Sequence, residues 1–432
     1  MISAINFFLS PGVDPYENLA IEKYLTFHTP EHTCILYLWQ NERTVVIGKN
    51  QNSFKECQVD RLMAEGGHLA RRLSGGGAVF HDLGNLNFTF CVRRGDYDVR
   101  RQLGVLIRAL GKLGITARLS GRNDVTVDGR KVSGNAFYRN GDFCYHHGTI
   151  LVDADMEMMG RYLNVSAQKL SSNGVSSVRS RVINLTDCVS PGKTVTVEMV
   201  RRAMLEAFAE IYGNGGSGRS AARAATAADG SSRAESDIVD GGPGRAAATE
   251  TAADAASVRP AVEAGLAVDA CLLLELPEEA WAEIDRERQR FQDKDWLFGK
   301  RIHFTQEFSG KFSWGEILIR LRVVGDEIVE AQVYSDAMDQ ERITRLAKRL
   351  PGCAFHREAL QAAIGAAMAA PEDGEAAASA AAGGVPDAAA AKTPAPEPGK
   401  AAVSEIDPGA PGPYEAAARE MQEDIWGLFY GK

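Results

Sequence analysis

One group of residues in this chain has the types and spacing for chemistry on an anion. Arg71 and Arg72 stand just ahead of three consecutive glycines, Gly75 to Gly77, with Ser74 at their entrance. Glycines bring no side chain to pack and cost backbone entropy. A run of them marks a place where the chain bends sharply or lies against a ligand with its N–H groups turned toward it. Guanidinium groups beside such a loop favour an anion, a phosphate above all. The same residues also make an ordinary turn ahead of the strand expected over Leu86–Cys91, and by themselves they do not choose between the two. The loop lacks the Gly-Lys-Ser/Thr that closes a Walker A loop, and it runs into a strand rather than opening a helix as GxGxxG does. Phosphate chemistry without either motif points elsewhere, to reactions such as adenylation of a carboxylate.

Other polar residues carry two readings each. Asp124 is placed to coordinate a metal-bound phosphate or orient an adenine, or else it caps the turn after Asn123. His81, His146 and His147 suggest acid–base or zinc chemistry. Strand neighbours face opposite ways, however, so His146 and His147 do not readily share one ion, and structural histidines of fixed tautomer are the expectation. Gly148 permits close approach and, with Thr149, is read as lining a ligand pocket. Trp39 and Phe80 are either walls of an apolar slot or plain core. Arg71 is either structural or solvated, and a lone lysine after a turn is by default a solvated one.

These residues need a frame. Asp14–Thr26 has apolar residues at helical spacing, with Pro15 suited to the first turn. Strands are expected over Cys34–Gln40 and Thr44–Gly48, joined by the polar turn Asn41-Glu42-Arg43. A helix over Phe54–Glu65 ends at Gly66-Gly67. The glycine loop comes next, then a helix from Val99 to Leu113. Asp124–Val127 and Arg130–Phe137 flank Asp128-Gly129, the favoured pair for a type I′ hairpin. Cys144–Val152 is a strand, and Asp155–Leu163, Val195–Tyr212 and Glu278–Phe291 are helices. Strands meeting mostly through short turns favour an α+β fold with mixed or antiparallel sheets flanked by helices. Trp296–Gly299 marks a boundary, giving a large domain over 1–299 and a small α+β domain over 300–432. The small domain has strands Ile302–Phe308, Trp314–Val324 and Ile328–Ser335, then helix Gln340–Arg349. A tail over Tyr414–Tyr430 spaces Met421, Ile425, Leu428 and Phe429 like a helix face that docks back on this domain.

Composition narrows the class. The 432 residues carry a net charge of −9, which argues against a nucleic-acid binder, so any anion site is local. No apolar run reaches a membrane span and the start lacks the marks of a signal peptide. The seven cysteines form no CxxC pair, so neither a disulfide framework nor a structural zinc is indicated, and a reducing cytoplasm is expected. Residues 213–260 and 371–413 shift to Ala, Gly, Ser, Arg, Asp and Pro, cannot bury enough apolar surface to offset their ordering entropy, and are expected to be a disordered insertion and a disordered linker.

Four segments, ARRLSGGGAVFHD, GRNDVTVDGRKVSGNAF, YHHGT and GVSSVRSRVINL, resemble in order and register the lipoate–protein ligases, within the wider family they form with biotin ligases and octanoyltransferases. The likeness covers about Ile5–Tyr212 and resumes over Glu278–Ile364, where KFSWGEI resembles the accessory C-terminal domain. The resemblance implies two steps. Lipoate's carboxylate attacks the α-phosphate of ATP, giving lipoyl-AMP and pyrophosphate, and an acceptor lysine then takes the lipoyl group and releases AMP. It implies Lys131 as the catalytic lysine, and Arg72 with the backbone of Gly77, Ala78, Val79 and Phe80 at the ATP-contacting positions, beside Ser74. Ser171–Leu185 resembles the adenylate-binding lid, with Arg179 and Arg181 as its cations. Mg²⁺ is expected because ATP's phosphates need neutralising, though no metal cage is readable. The implied acceptors are lipoyl domains, either of a 2-oxoacid dehydrogenase E2 subunit or the glycine-cleavage H protein.

Two rivals stay in view. One is an acyltransferase of the same fold working through a cysteine thioester, for which Cys144 and Cys188 are the nearest thiols. The other is a non-catalytic lipoyl-binding scaffold. Neither thiol sits in a convincing nucleophile setting, and the accessory domain and arginine-bearing lid favour the ligase over the first rival; intact Lys131, Arg72 and glycine loop argue against the second.

Overall fold

The computed structural model describes residues 1–120, 123–164, 182–190, 192–213, 271–299, 302–369 and 413–430. The lid arginines Arg179 and Arg181, and all but the ends of the two low-complexity stretches, lie outside these residues. The chain forms two compact units. One comprises Met1–Ile47, Ser53–Leu73 and Ala78–Phe298; the other comprises Gly48–Asn52, Ser74–Gly77 and Gly299–Lys432.

The first unit runs β1 (Ala4–Leu9), α1 (Pro15–Phe27), β2 (Thr33–Trp39), β3 (Thr44–Ile47), α2 (Ser53–Glu56), α3 (Val59–Ala64), β4 (His68–Arg71), β5 (Val79–His81) and β6 (Asn85–Arg93). It continues with α4 (Val99–Lys112), β7 (Arg118–Ser120), β8 (Asp124–Val127), β9 (Arg130–Asn140), β10 (Phe143–Leu151), α5 (Met156–Tyr162), α6 (Val197–Gly213), β11 (Cys271–Leu273), α7 (Glu278–Gln292) and α8 (Lys294–Phe298). Eight strands make one mixed sheet in the order β11-β1-β2-β6-β10-β9-β8-β7. The pairs of β1 with β11 and with β2 are parallel, and the pairs from β2 to β7 are antiparallel.

The two-residue period of its strands divides the sheet's faces. Leu86, Phe88 and Phe90 pack with Leu106 and Leu110 of α4 and Met204 and Phe208 of α6, while Cys91, Tyr37 and Tyr145 pack with Leu19, Ile21 and Leu25 of α1 and Ile284 of α7. Asp14 caps α1, its carboxylate accepting from the N–H groups of Tyr16 and Glu17, and Arg288 of α7 clamps that cap at 2.6 Å.

A second sheet, β4-β3-β5, packs on α3 and α5 through Leu62, Leu69, Phe80 and Tyr162. Thus β2 and β3 are not a hairpin, as the short polar turn suggested. All seven residues of β2 are buried, which calls for cover on both faces, and the chain at Asn41–Arg43 steps between sheets. The helix expected over Phe54–Glu65 is broken at Cys57 and Gln58, where Cys57 bridges Leu163 and the Gln58 N–H donates to Tyr162 O at 2.8 Å. Pairing outside the helix takes the backbone groups that a continuous helix would use.

The second unit holds the antiparallel meander β12 (Gln306–Phe312), β13 (Gly315–Val324) and β14 (Glu327–Ser335), with α9 (Gln340–Arg349), α10 (Arg357–Met368) and α11 (Pro413–Tyr430). β12 lies four residues beyond the stretch read from sequence, because its pairing with β13 sets Phe308 opposite Ile319 and Phe312 opposite Gly315. The sequence reading also missed α10, whose Leu360, Ile364, Ala367 and Met368 follow helical spacing. As the tail pattern predicted, Met421 and Ile425 of α11 are buried in this unit's core, with Leu428 and Phe429 packed beside them.

Candidate active site

The spine of the site is β10. Tyr145 faces α1 and Cys144 faces α4, so by alternation His147 and Thr149 join Tyr145, while His146 and Gly148 turn the other way. On the α1 face a single cross-strand row runs through five strands. Trp39 pairs with Asn87, Asn87 with Thr149, and Gly134 with Asp124; the link between Thr149 and Gly134 is the Gly134 N–H donating to Thr149 Oγ1 at 3.3 Å.

Lys131 enters this row by way of a β-bulge. Thr126 pairs with Lys131 and Val125 with Ser133, leaving Val132 as an extra residue in β9. Asp128 at φ 48° and Gly129 at φ 76° make the I′ turn that the Asp-Gly pair predicted, and the bulge three residues later resets the alternation. Val132 and Ser133 are both buried, and Lys131 and Gly134, three apart, share a face. The Lys131 chain lies over Gly134 so closely that an added Cβ would meet Nζ at 2.7 Å and Cε at 2.8 Å. Nζ is 2.7 Å from Asp124 Oδ1, an ion pair not angled for a hydrogen bond, with the two side chains 33% and 36% exposed. The carbonyl of Lys131 accepts from the N–H of Ile183 at 2.9 Å, so the chain leaving the expected lid segment is tied to the backbone of the lysine itself.

Beside Tyr145 and His147 lies a buried polar cluster. The Trp39 indole N–H donates to Thr89 Oγ1 at 3.1 Å, Thr89 donates to Glu22 Oε1 at 2.7 Å, and His147 Nδ1 meets the same oxygen at 2.7 Å. Arg72 is buried, donates to the Val46 carbonyl at 3.2 Å, and has its pKa pushed down to about 10 by burial, against the opposing pull of Tyr145 and Glu22. His81 is pushed down to about 3, first by burial and then by the Arg72 and His147 charges. Its Nδ1 takes the Asn41 amide at 3.1 Å, which leaves the proton on Nε2. His146, on the opposite face, lies between Gln102 at 3.2 Å and Asn135 at 2.9 Å and is likewise held at about 3 by burial. Each of the three histidines has a protein partner at a ring nitrogen, His147 through Glu22.

Both depressed histidines make stability depend on pH. Folded, they stay neutral down to about pH 3, whereas an unfolded histidine takes a proton near pH 6.5, so between these values the unfolded chain binds more protons. Their contribution is whole above about pH 6.5 and declines as pH falls toward 3. Each should remove about 2 kcal/mol of stability between pH 7.5 and pH 5. Urea midpoints at those two pH values check this, and equal midpoints would contradict the burial of neutral imidazoles.

Some expected site residues do other work. Gly148 is needed because a Cβ there would meet Asn135 Oδ1 and Phe88 Cζ, both at 2.7 Å; its missing side chain makes room for protein rather than ligand. Phe80 is core, packed on Tyr162, whereas Trp39 stands in the polar cluster. Val79 and Phe80 lie on β5, the edge of its sheet, so alternate N–H groups point away from β3. Arg71 is structural, donating to the carbonyls of Trp296 at 2.7 Å and Leu297 at 2.6 Å.

The glycine loop needs a sharper account. Ser74 to Gly77 belong to the second unit, and within it Gly75 lies against the Ala337 carbonyl, where a Cβ would come to 2.3 Å. Gly76 takes φ +85°, and a Cβ on Gly77 would meet nothing within 4 Å. The triplet therefore does serve packing, through the close approach that the missing side chain of Gly75 allows. Sequence reasoning missed Gly134, Asn87 and Glu22. Asn85, Asn87 and Thr89 alternate with Leu86, Phe88 and Phe90, a pattern that reads as a wet strand face, yet all three polar residues are buried.

The fold has solved relatives. It matches LipL1 of P. falciparum in complex with lipoate at TM-score 0.62 and 23% identity, covering 83% of this chain and 94% of that one. It also matches a bipartite lipoate protein ligase of Thermoplasma acidophilum, described with its E2 lipoyl domain, at TM-score 0.50 and 22% identity, covering 71% and 100%. Residues 14–209 match the lipoyl protein ligase A/B catalytic domain and 301–373 the bacterial lipoate protein ligase C-terminus. Lipoate-protein ligase A of Psychrobacter cryohalolentis is 37% identical over 355 residues, 82% of this chain and 89% of that protein. The chain belongs to the lipoate–protein ligase family.

Proposed function

We propose that the protein activates lipoate with ATP and transfers the lipoyl group to a lysine of an acceptor lipoyl domain. The observation that carries this is Lys131, laid over Gly134 between Asp124 and Thr149, at one end of a row whose other end is the Trp39 indole. Three inter-strand steps separate Gly134 from Trp39, about 14 Å, room for an acyl chain lying across the strands. With the carboxylate at Lys131, the tail runs toward Trp39.

In the first step a carboxylate oxygen bonds to the α-phosphorus and the bond to pyrophosphate breaks. The Lys131 ammonium offsets the charge gathering on the α-phosphate oxygens. In the second, an acceptor amine attacks the acyl carbon, the bond to AMP breaks and the amine loses a proton, while the same ammonium polarises the carbonyl. Arg72 supplies a second cation, and alternate N–H groups of β5 are candidate phosphate donors. The segment carrying Arg179 and Arg181 is assigned as the lid that keeps water from the adenylate.

Mg²⁺ would arrive with ATP, supplying charge neutralisation, with Asp124 the carboxylate placed to share it. Among the described residues no three His, Cys, Asp or Glu side chains form a metal cage, and none of their helices is long and apolar enough to cross a membrane. We assign the work to the cytoplasm, on E2 or H-protein lipoyl domains.

The two thiols nearest a thioester route are not activated. Cys144 is fully buried, and the Cys188 thiol is raised by burial and donates to the Asn184 carbonyl at 3.2 Å. Cys188→Ser should keep pyrophosphate release and transfer within about twofold of the parent. Loss of transfer in a folded Cys188→Ser protein would favour the thioester.

The deciding experiment is lipoate-dependent pyrophosphate release from ATP, with the intact mass of an apo-lipoyl domain read in parallel. Release together with a lipoyl mass gain is expected. An untouched ATP pool alongside modification by an octanoyl-carrier donor would overturn the ligase reading.

A further inference from the structure

We propose that the Asn85–Asn87 pair is a specificity-determining subsite, favouring acyl chains that carry a hydrogen-bonding atom near their far end over plain alkyl chains. The proposal rests on the ligase reading above and concerns the acid that Lys131 receives.

Both asparagines point to the α1 face of β6 and are buried, at 0% and 1% exposure. The Asn85 amide N–H donates to Asn87 Oδ1 at 2.9 Å, which leaves Asn85 Oδ1 and Asn87 Nδ2 without a protein partner. Turning both amides over leaves the same balance, one donor and one acceptor unused. Buried amides are normally satisfied, and a strand whose alternate residues are Leu86, Phe88 and Phe90 does not need polar packing opposite them. The same strand shows a satisfied polar residue in Thr89, whose hydroxyl bridges Trp39 and Glu22. The Nε2 of His81 is a third buried polar atom without a partner, and its ring meets the edge of Trp39 at 6.1 Å. Trp39 is also the residue paired with Asn87, so these groups gather around one end of the row.

Position gives the ligand chemistry. Asn87 stands two inter-strand steps, about 10 Å, from Gly134 and the Lys131 chain over it. An extended medium-chain acid with its carboxylate at Lys131 reaches Asn87 with its last carbons. A dithiolane sulfur at that depth can accept from the Asn87 N–H, whereas the methyl end of octanoate leaves the pair unsatisfied. A site built to bond a polar atom penalises the analogue that lacks it.

The test uses the full chain and two acids, lipoate and octanoate, with pyrophosphate release read for each. In Asn87→Leu the ratio of kcat/KM for lipoate over octanoate should fall about five- to tenfold. Asn87→Ala removes the amide without adding bulk and should move the ratio the same way if the leucine variant does not fold. A ratio within about twofold of the parent in a folded variant overturns the proposal. If the parent releases pyrophosphate with neither acid, the ligase reading fails. Calorimetric binding of the two acids then judges the subsite alone, by the same ratio in parent and variants.

Discussion

Lys131→Ala is expected to slow lipoate-dependent pyrophosphate release by about a hundredfold to a thousandfold, the usual cost of removing one preorganised stabiliser of transition-state charge. The fold should survive. The side chain is partly exposed, its ion pair is with the equally exposed Asp124, and the backbone bond to Ile183 does not involve it. A melting temperature within about 2 °C of the parent is expected for such a surface change. Both half-reactions should suffer, because in the proposed mechanism the same ammonium serves the α-phosphate in one and the acyl carbonyl in the other. Supplying preformed lipoyl-AMP should therefore not restore acceptor modification. Lys131→Arg keeps the charge but carries a planar fork in place of a compact ammonium, and should recover only a small part of the rate. Turnover near the parent's in Lys131→Ala would remove the lysine from the mechanism.

The hairpin that carries Lys131 was legible in the sequence because its signal is local, whereas the role expected of the lysine came only from the family resemblance. An Asp-Gly pair specifies a I′ turn, and the residues flanking it are then fixed on a hairpin. The four motifs also located the catalytic half of the chain and its family. What lies across strands was not legible. The row Trp39–Asn87–Thr149–Gly134–Asp124 draws on residues from five strands and exists only once register is set. The bulge at Val132 defeats the two-residue period from which facing is read. Gly148 illustrates the reverse error: beside two histidines it suggested a ligand pocket, and its vacancy is filled by Asn135 and Phe88. Asn85 and Asn87 carried no signal in the sequence, because an alternating polar face is as compatible with water as with burial, and it is the structure that shows both buried.

The glycine triplet shows how one motif divides its labour. Anion binding was one of two readings open to three glycines behind two arginines, an ordinary turn being the other. Yet Arg71 holds the Trp296 and Leu297 carbonyls, Gly75 accommodates the Ala337 carbonyl, and Gly76 supplies a left-handed turn. Much of the motif therefore serves packing and turn geometry, and less of it is given over to an anion than its composition suggested. A short site of this kind leans on Lys131 for much of its positive charge.

That dependence makes Gly134→Ala the sharpest probe of position as distinct from presence. The new methyl would fall 2.7 Å from Nζ and 2.8 Å from Cε of Lys131, so the lysine must move. It can do so cheaply, since those atoms end a flexible chain and nothing else but Thr149 Oγ1, at 3.9 Å, lies near. Alanine also suits a strand better than glycine, so stability should hold or rise slightly. The charge is retained but displaced from the row by an ångström or more, and a misplacement of that size costs about a hundredfold in rate. Gly134→Ala should therefore combine a parent-like melting curve with a kcat about a hundredfold lower. A folded Gly134→Ala enzyme with undiminished kcat would mean that Lys131 works from somewhere other than above Gly134.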